Sequence, residues 1–250
     1  MARIAVISDI HGNLEALQAV LKALERDGVD SVVHLGDLVG YNANPRETLE
    51  LLHTATGAVG TLGNHDLGVF EPETAESFNV LAHQALLYSM DQLTDHEVDY
   101  LRTLPLTVHL NERYLFCHGT PESVHTYIMN LFQAKRTFNL LRKRYPEVQV
   151  CFHGHTHIQR LWIRDHRGKV MAQRPLPGPM SLDPDHTYLI NPGSVGQPRQ
   201  RDNRAHYLIL DTDRKAVIFR AVPYDIGTAQ AKILKAGLPD YLALRLLDGI

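Results

Sequence analysis

Cysteine is scarce in this chain, and no apolar run is long. Two cysteines in 250 residues, Cys117 and Cys151, cannot build a disulfide scaffold. Both sit inside apolar runs (Tyr114-Leu115-Phe116-Cys117 and Val150-Cys151-Phe152), as expected of small buried thiols in a reducing compartment. The first apolar run, from Ile4, stops at Ser8-Asp9, far too short for a signal or membrane-spanning segment. A cytoplasmic protein without a membrane partner is the expectation. An excess of one charge is missing as well. A net charge of −3 provides no global basic field, so there is no strong sign of nucleic-acid binding. Repeats and low-complexity segments are absent. The composition, 44% hydrophobic and 21% charged, is ordinary for a globular protein with a sizeable core. The proline-rich stretch from Pro175 to Pro184 reads as an irregular rim loop rather than a linker, so residues 1–250 are expected to form a single domain. Histidine alone is abundant, with 15 residues.

Short apolar runs bounded by polar turns predict strands at Ile4–Ile7, Ser31–Leu35, Ala58–Leu62, Leu106–Leu110, Tyr114–Cys117 and Val148–Phe152. Helical spacing predicts helices from Asn13 to about Arg26, Pro45 to His53, Thr74 to Met90, Asp95 to Thr103 and Asn130 to Arg144. The early β-α-β-α-β alternation favours a parallel or mixed sheet covered by helices, with ligands at the C-terminal strand ends. Runs at Ile158–Ile163, Val170–Gln173, Thr187–Ile190, Tyr207–Leu210 and Val217–Ala221 have hairpin-like spacing and predict a second, more antiparallel sheet.

Five motifs stand where apolar runs give way to glycine or a polar turn: Asp9-Ile10-His11, Gly36-Asp37, Gly63-Asn64-His65-Asp66, His118-Gly119 and Gly154-His155-Thr156-His157. Alone, each is ordinary turn chemistry or a core histidine. Together they supply what two adjacent divalent cations need once water fills the remaining positions. Asp9 and His11 are two apart, so in extended backbone both lean toward one cation. His155 and His157 repeat that spacing, each able to serve a different ion. Asp37 can bridge two cations roughly 3.5–4 Å apart, and Asn64 offers a carbonyl oxygen. Two divalent ions, two carboxylates and a bridging hydroxide leave a charge of about +1, which a phosphodiester neutralises; a monoester dianion needs another cationic partner.

The ordered set from Asp9 to His157 resembles the calcineurin-like metallophosphoesterase superfamily, and Asn191-Pro192-Gly193-Ser194 resembles a further motif of its bacterial phosphodiesterase-like branch. The resemblance implies an α/β fold, a four-layer αββα sandwich of two mixed β-sheets flanked by helices. It also implies two divalent metal ions, with Mn²⁺ expected first and Fe, Zn²⁺ or Ni²⁺ as alternatives. By motif match one metal takes Asp9, His11, Asp37 and His157, and the other takes Asp37, Asn64, His118 and His155. His65 matches the phosphate-contacting histidine and possible general acid, which with Asp37 makes the expected catalytic pair. One departure bears on the substrate. Protein phosphatases and diadenosine tetraphosphatases of the superfamily continue as Gly-Asp-x-Val-Asp-Arg-Gly, whereas this chain reads Gly36-Asp37-Leu38-Val39-Gly40-Tyr41-Asn42. Asp66 also stands where those relatives usually carry Glu.

The expected function is a dimetal-dependent phosphodiesterase that cleaves a small or nucleotide-like diester with a metal-bridging hydroxide. Asn64, His65, Tyr41 and Arg199 are its candidate substrate contacts. Tyr41 can equally serve its turn, and Arg199 a surface loop. A phosphomonoesterase or protein phosphatase is the alternative, disfavoured by the missing arginine; a non-catalytic metal-binding scaffold is disfavoured because all seven matched ligands are present. His34, His109 and His153 match no motif and read as structural.

Overall fold

Strands buried on both faces, such as Tyr114–Cys117, Val150–His153 and Ala205–Asp211, stack into two sheets face to face. The computed structural model describes residues 2–250. The first sheet contains β1 (Arg3–Ile7), β2 (Ser31–His34), β3 (Val59–Gly60), β9 (Pro179–Ser181), β11 (Ala205–Asp211) and β12 (Ala216–Val222), in the order β3-β2-β1-β11-β12-β9. The second contains β4 (Thr107–Leu110), β5 (Tyr114–Cys117), β6 (Val150–His153), β7 (Arg160–Arg164), β8 (Val170–Gln173) and β10 (Thr187–Asn191), in the order β4-β5-β6-β10-β7-β8. Each mixes directions: β1 is parallel to β2 and antiparallel to β11, while β6 is parallel to both β5 and β10.

Ile4 and Val6 point from β1 into the layer between the sheets, meeting Phe116, Phe152 and Ile190. Ala5 and Ile7, one residue out of step, point the other way onto α1 (Leu14–Asp27) and α2 (Pro45–Thr56). On the far side Leu115, Cys151 and Leu189 pack against Ala134, Phe138 and Leu141 of α6 (Leu131–Arg144). The layers are therefore helix, sheet, sheet, helix, the expected αββα sandwich. Asn13 caps α1 by accepting the Ala16 amide at 3.1 Å, and Gly28 ends it in the left-handed region. Phe116 stacks on Phe152 between the sheets with ring centroids 5.0 Å apart, and truncating either to Ala would cost about 3–5 kcal/mol.

The expected division into an early sheet and a later antiparallel one is corrected. β11 and β12 return to pair beside β1, and β4, β5 and β6 join the other sheet. Local pattern defines a strand, but partner choice depends on which faces bury together. The helix expected from Thr74 to Met90 is a 3₁₀ turn (Pro72–Ser77) followed by α4 (Val80–Gln92), divided at extended Phe78 with Asn79 capping α4. A short α3 (Asn64–Phe70) starts at the Gly63-Asn64 motif, α5 spans Asp95–Thr103, and a C-terminal pair follows, α7 (Ile226–Lys235) and α8 (Asp240–Asp248). That pair buries Ile233, Leu238, Leu242 and Leu246 against Tyr41, Ala82 and Ala85. Among the described residues no helix is long and apolar enough to cross a membrane.

Candidate metal centre

All seven motif donors come together at one end of the two sheets. β1 delivers Asp9 and His11, β2 delivers Asp37, β3 leads to Asn64 at the start of α3, β5 delivers His118, and β6 delivers His155 and His157. These are C-terminal strand ends, where open sheets leave a crevice. The extended backbone expected for the two alternating pairs is corrected: Asp9, His11, Asp37, His155 and His157 have φ of 55°, 51°, 53°, 65° and 59°. Left-handed turns cost on the order of 1–2 kcal/mol per non-glycine residue, so tertiary contacts must hold them. The Asp9 amide donates to Gly36 O (3.1 Å), His11 N to Asp37 O (2.9 Å), Gly154 N to His118 O (2.7 Å) and Gly196 N to Asp9 O (3.0 Å).

The donors form two buried groups that share one carboxylate, Asp9–His11–Asp37–His157 and Asp37–His118–His155; within each group the candidate ligand atoms lie within 4.8 Å of one another. Asn64 Oδ1 lies 3.0 Å from His118 Nε2 and so belongs with the second group. The second ring nitrogens decide what the site suits. Nδ1 of His11, His118 and His157 faces the carbonyls of Val39 (2.8 Å), Leu35 (2.7 Å) and Gln197 (2.6 Å), and His155 Nε2 faces His125 O at 3.3 Å. A carbonyl only accepts, so each of these nitrogens carries the proton and the other presents its lone pair inward. The inward nitrogens then face one another: His11 Nε2 and His157 Nε2 are 3.4 Å apart, and His118 Nε2 and His155 Nδ1 are 3.1 Å apart. For His11 and His157, both neutral, these are two buried lone pairs, which repel unless positive charge lies between them. Asp9 Oδ2, also buried, has no hydrogen-bond partner. This donor set fits divalent cations.

The electrostatics agree. Burial holds His11, His155 and His157 well below the ordinary imidazole range, so they stay neutral near pH 7. Burial also lowers His118, but Asp37 at 3.3 Å and Asp9 more than offset it and drive it up to about 9, so without a cation its Nε2 keeps a proton against Asp37, which a bound metal would displace. Burial opposes ionisation of Asp37, yet His118, His65 and His11 keep its carboxyl well below the usual range. Burial, opposed by His118 and reinforced by Asp37, pushes Asp9 up to about 7. Asp37 is thus ionised, and a bound cation would let the buried Asp9 ionise as well.

Residues 2–215 match the family model of the calcineurin-like phosphoesterase superfamily domain. The chain belongs to the calcineurin-like phosphoesterase superfamily. It is thus a phosphoric ester hydrolase of a dimetal-dependent family, and its clustered donors meet that requirement. It is 38% identical to the uncharacterized protein MJ0912 of Methanocaldococcus jannaschii, with 98% of each chain covered. It is 27% identical to phosphodiesterase YfcE of Escherichia coli K12, covering 87% of this chain and 92% of that one. Among solved structures, a metallophosphoesterase from Sphaerobacter thermophilus shares 36% identity and a TM-score of 0.87, covering 100% of this chain and 99% of that one.

Around the donors the phosphoesterase places further groups. His65 is buried beside Asp37, which accepts its amide at 2.8 Å, and its ring packs on Gly40, Tyr41 and Phe78. Burial lowers it to about 4. Tyr41 meets the His11 ring edge-on at 4.7 Å. Arg199 is no surface residue: half-buried, it donates to Tyr41 Oη (3.3 Å) and Gln197 Oε1 (3.0 Å), and its field reaches Asp9, His11, His65 and His157. Among the described residues it forms no carboxylate ion pair. His34 and His153 are buried off the cluster, as their reading expected, and His109 lies on β4. The sequence motifs contain several residues that brace the loops, but not the bracing itself. Asp66 accepts from Leu38 N (2.8 Å) and Gly63 N (3.1 Å), tying the Asp37 loop to α3. Asn191 donates to Gly154 O (2.7 Å), Ser194 to Asp9 O (2.8 Å) and Asn42 to His11 O (2.9 Å). Polar residues beside glycine in the Asn191-to-Ser194 motif were the available signal.

Proposed function

We propose that this chain is a dimetal-dependent phosphodiesterase acting on a small or nucleotide-like diester. The observation that carries this reading is Asp37, the one side chain common to both ligand groups. Asp9, His11, Asp37 and His157 would hold one cation and Asp37, Asn64, His118 and His155 the other, with Mn²⁺ as the first choice. When bound, the pair acidifies the attacking water and stabilises charge on the phosphoryl oxygens. His65 and Asn64 contact the phosphoryl group from the start of α3, Tyr41 shields the His11 side, and the Arg199 guanidinium orients a non-bridging oxygen. The backbone carbonyls of Val39, Leu35 and Gln197 keep the imidazoles turned inward. Cys117 and Cys151, unbridged with sulfurs 3.7 Å apart, support a cytoplasmic location, and we take residues 1–250 as one domain.

The diester preference rests on Gly40-Tyr41 in place of an Asp-Arg pair and on the relative named a phosphodiesterase. A second reading, phosphomonoesterase, is favoured by Arg199, whose charge beside the cluster suits a dianion. Turnover of bis-p-nitrophenyl and p-nitrophenyl phosphate under Mn²⁺ separates the two. We expect kcat/KM to favour the diester by roughly tenfold or more, about 1.4 kcal/mol in transition-state binding. A wild-type monoester preference that disappears in Arg199→Ala would overturn the assignment and give this arginine the missing role.

A further inference from the structure

A cavity of about 350 Å³ opens onto Asn64, His65 and His155, within the range of small-molecule sites. Whatever occupies it adjoins a phosphoryl group held at the cluster. Aromatic rings from Tyr41, Phe78 and Tyr127 stand among its polar lining. Phe78 packs on the His65 ring with centroids 4.7 Å apart, and Tyr127 lies flat on His155 at 3.7 Å and 20°. Tyr127 is on the irregular segment between β5 and α6, is 38% exposed, and belongs to none of the buried apolar clusters. Apolar core packing therefore does not hold it; its ring rests on His155 and its hydroxyl meets Arg199, both at the cluster. Ser77, Asn79 and His125 add polar edges to the same space.

We propose that Phe78 and Tyr127 wall a slot for a flat aromatic ester arm, an aryl group or nucleobase, of the substrate diester. This rests on the phosphodiesterase reading above. A planar arm gains stacking contact on rings whatever its detailed identity, and an alkyl arm of equal charge does not. The polar edges suit a heteroaromatic ring that carries hydrogen-bonding groups.

Phenylphosphonate and methylphosphonate carry the same anionic head on a C–P bond that phosphoester hydrolysis does not cleave. Each is titrated by calorimetry into the Mn²⁺-loaded full chain. We expect phenylphosphonate to bind tighter by at least about tenfold, about 1.4 kcal/mol. Tyr127→Leu should cut that ratio at least roughly threefold, and Phe78→Leu with Tyr127→Leu should bring it near one, while Tyr127→Phe, which keeps the ring, retains it. Equal binding of the two phosphonates by wild type, or an unchanged ratio in Tyr127→Leu, overturns the slot. Metal content and bis-p-nitrophenyl phosphate turnover separate this from the reading beneath it. A chain that holds two Mn²⁺ and cleaves the diester but ignores the phenyl group loses only the slot; one that does neither loses the phosphodiesterase reading itself.

Discussion

Asp37 Oδ1 accepts the His65 amide at 2.8 Å, while Oδ2 lies 3.3 Å from His118 Nε2 and 3.6 Å from His11 Nε2. Asn would keep the shape and an acceptor for that amide but remove the negative charge shared by both groups. Asp37→Asn should therefore fold, hold at most one of two Mn²⁺, and lose roughly a hundredfold or more in kcat/KM. Two bound ions with wild-type turnover in that variant would end the two-metal account. His34 makes a different case. Burial lowers it to about 4, and its Nδ1 has no partner. Its folded pKa lies below the unfolded value near 6.5, so the fold favours the neutral ring. The stability that goes with neutrality is complete above pH 6.5 and is lost as pH falls toward 4, amounting to roughly 3 kcal/mol. Urea titrations with chelator should show His34→Phe losing less stability than wild type across that window. Parallel curves for the two proteins would refute the account.

At the scale of elements, the ligand loops cross so closely that they need glycine. Gly36 has φ of +82°, and a Cβ there would lie 2.7 Å from Gly63 Cα; a Cβ on Gly63 would collide with the Asp37 amide and Oδ1. Gly57, which ends α2 at φ +54°, has nothing within 4 Å. Gly57→Ala should thus cost only about 1 kcal/mol and leave metal content unchanged. Gly63→Ala should cost about 1–3 kcal/mol, displace Asp37 and weaken Mn²⁺ binding. Urea unfolding and metal analysis of both compare them, and equal behaviour would show that the crossing is looser than described. The elements differ in how legible they are. The buried strands and α5 stand out because an apolar run or a capped helical period is local information. α3 is seven residues long with Gly68 inside it, too brief for a period to show. α7 and α8 did carry a signal, Ile226, Ala229 and Ile233 on one face and a Gly237-Leu238-Pro239 turn between the helices, but no motif drew attention to it. The left-handed turns at the donors are invisible to periodicity, because residues such as Asp and His adopt them only when neighbouring loops hold them there.

For the molecule as a whole, metal binding and stability are linked. Cations that bind the native cluster and not the unfolded chain add roughly 2.7 kcal/mol per site at a hundred times Kd. A chain of this length shifts by roughly 2–4 °C per kcal/mol. Chelation should then lower Tm by roughly 10–20 °C, and Mn²⁺ should restore it; an unchanged Tm would argue against two tight sites. By itself the sequence determined the candidate donors and most of the strands and helices, and the layer architecture came with the family resemblance of the donor motifs. Each donor is a residue type at the end of a local apolar run, and their order from Asp9 to His157 is a pattern along one dimension. Only the tertiary structure decided that β11 lies beside β1, that α7 and α8 back Tyr41, and that Arg199 faces the cluster. Those relations join residues far apart along the chain. They are set by which buried faces and polar loops satisfy one another in three dimensions, and no local window contains that information.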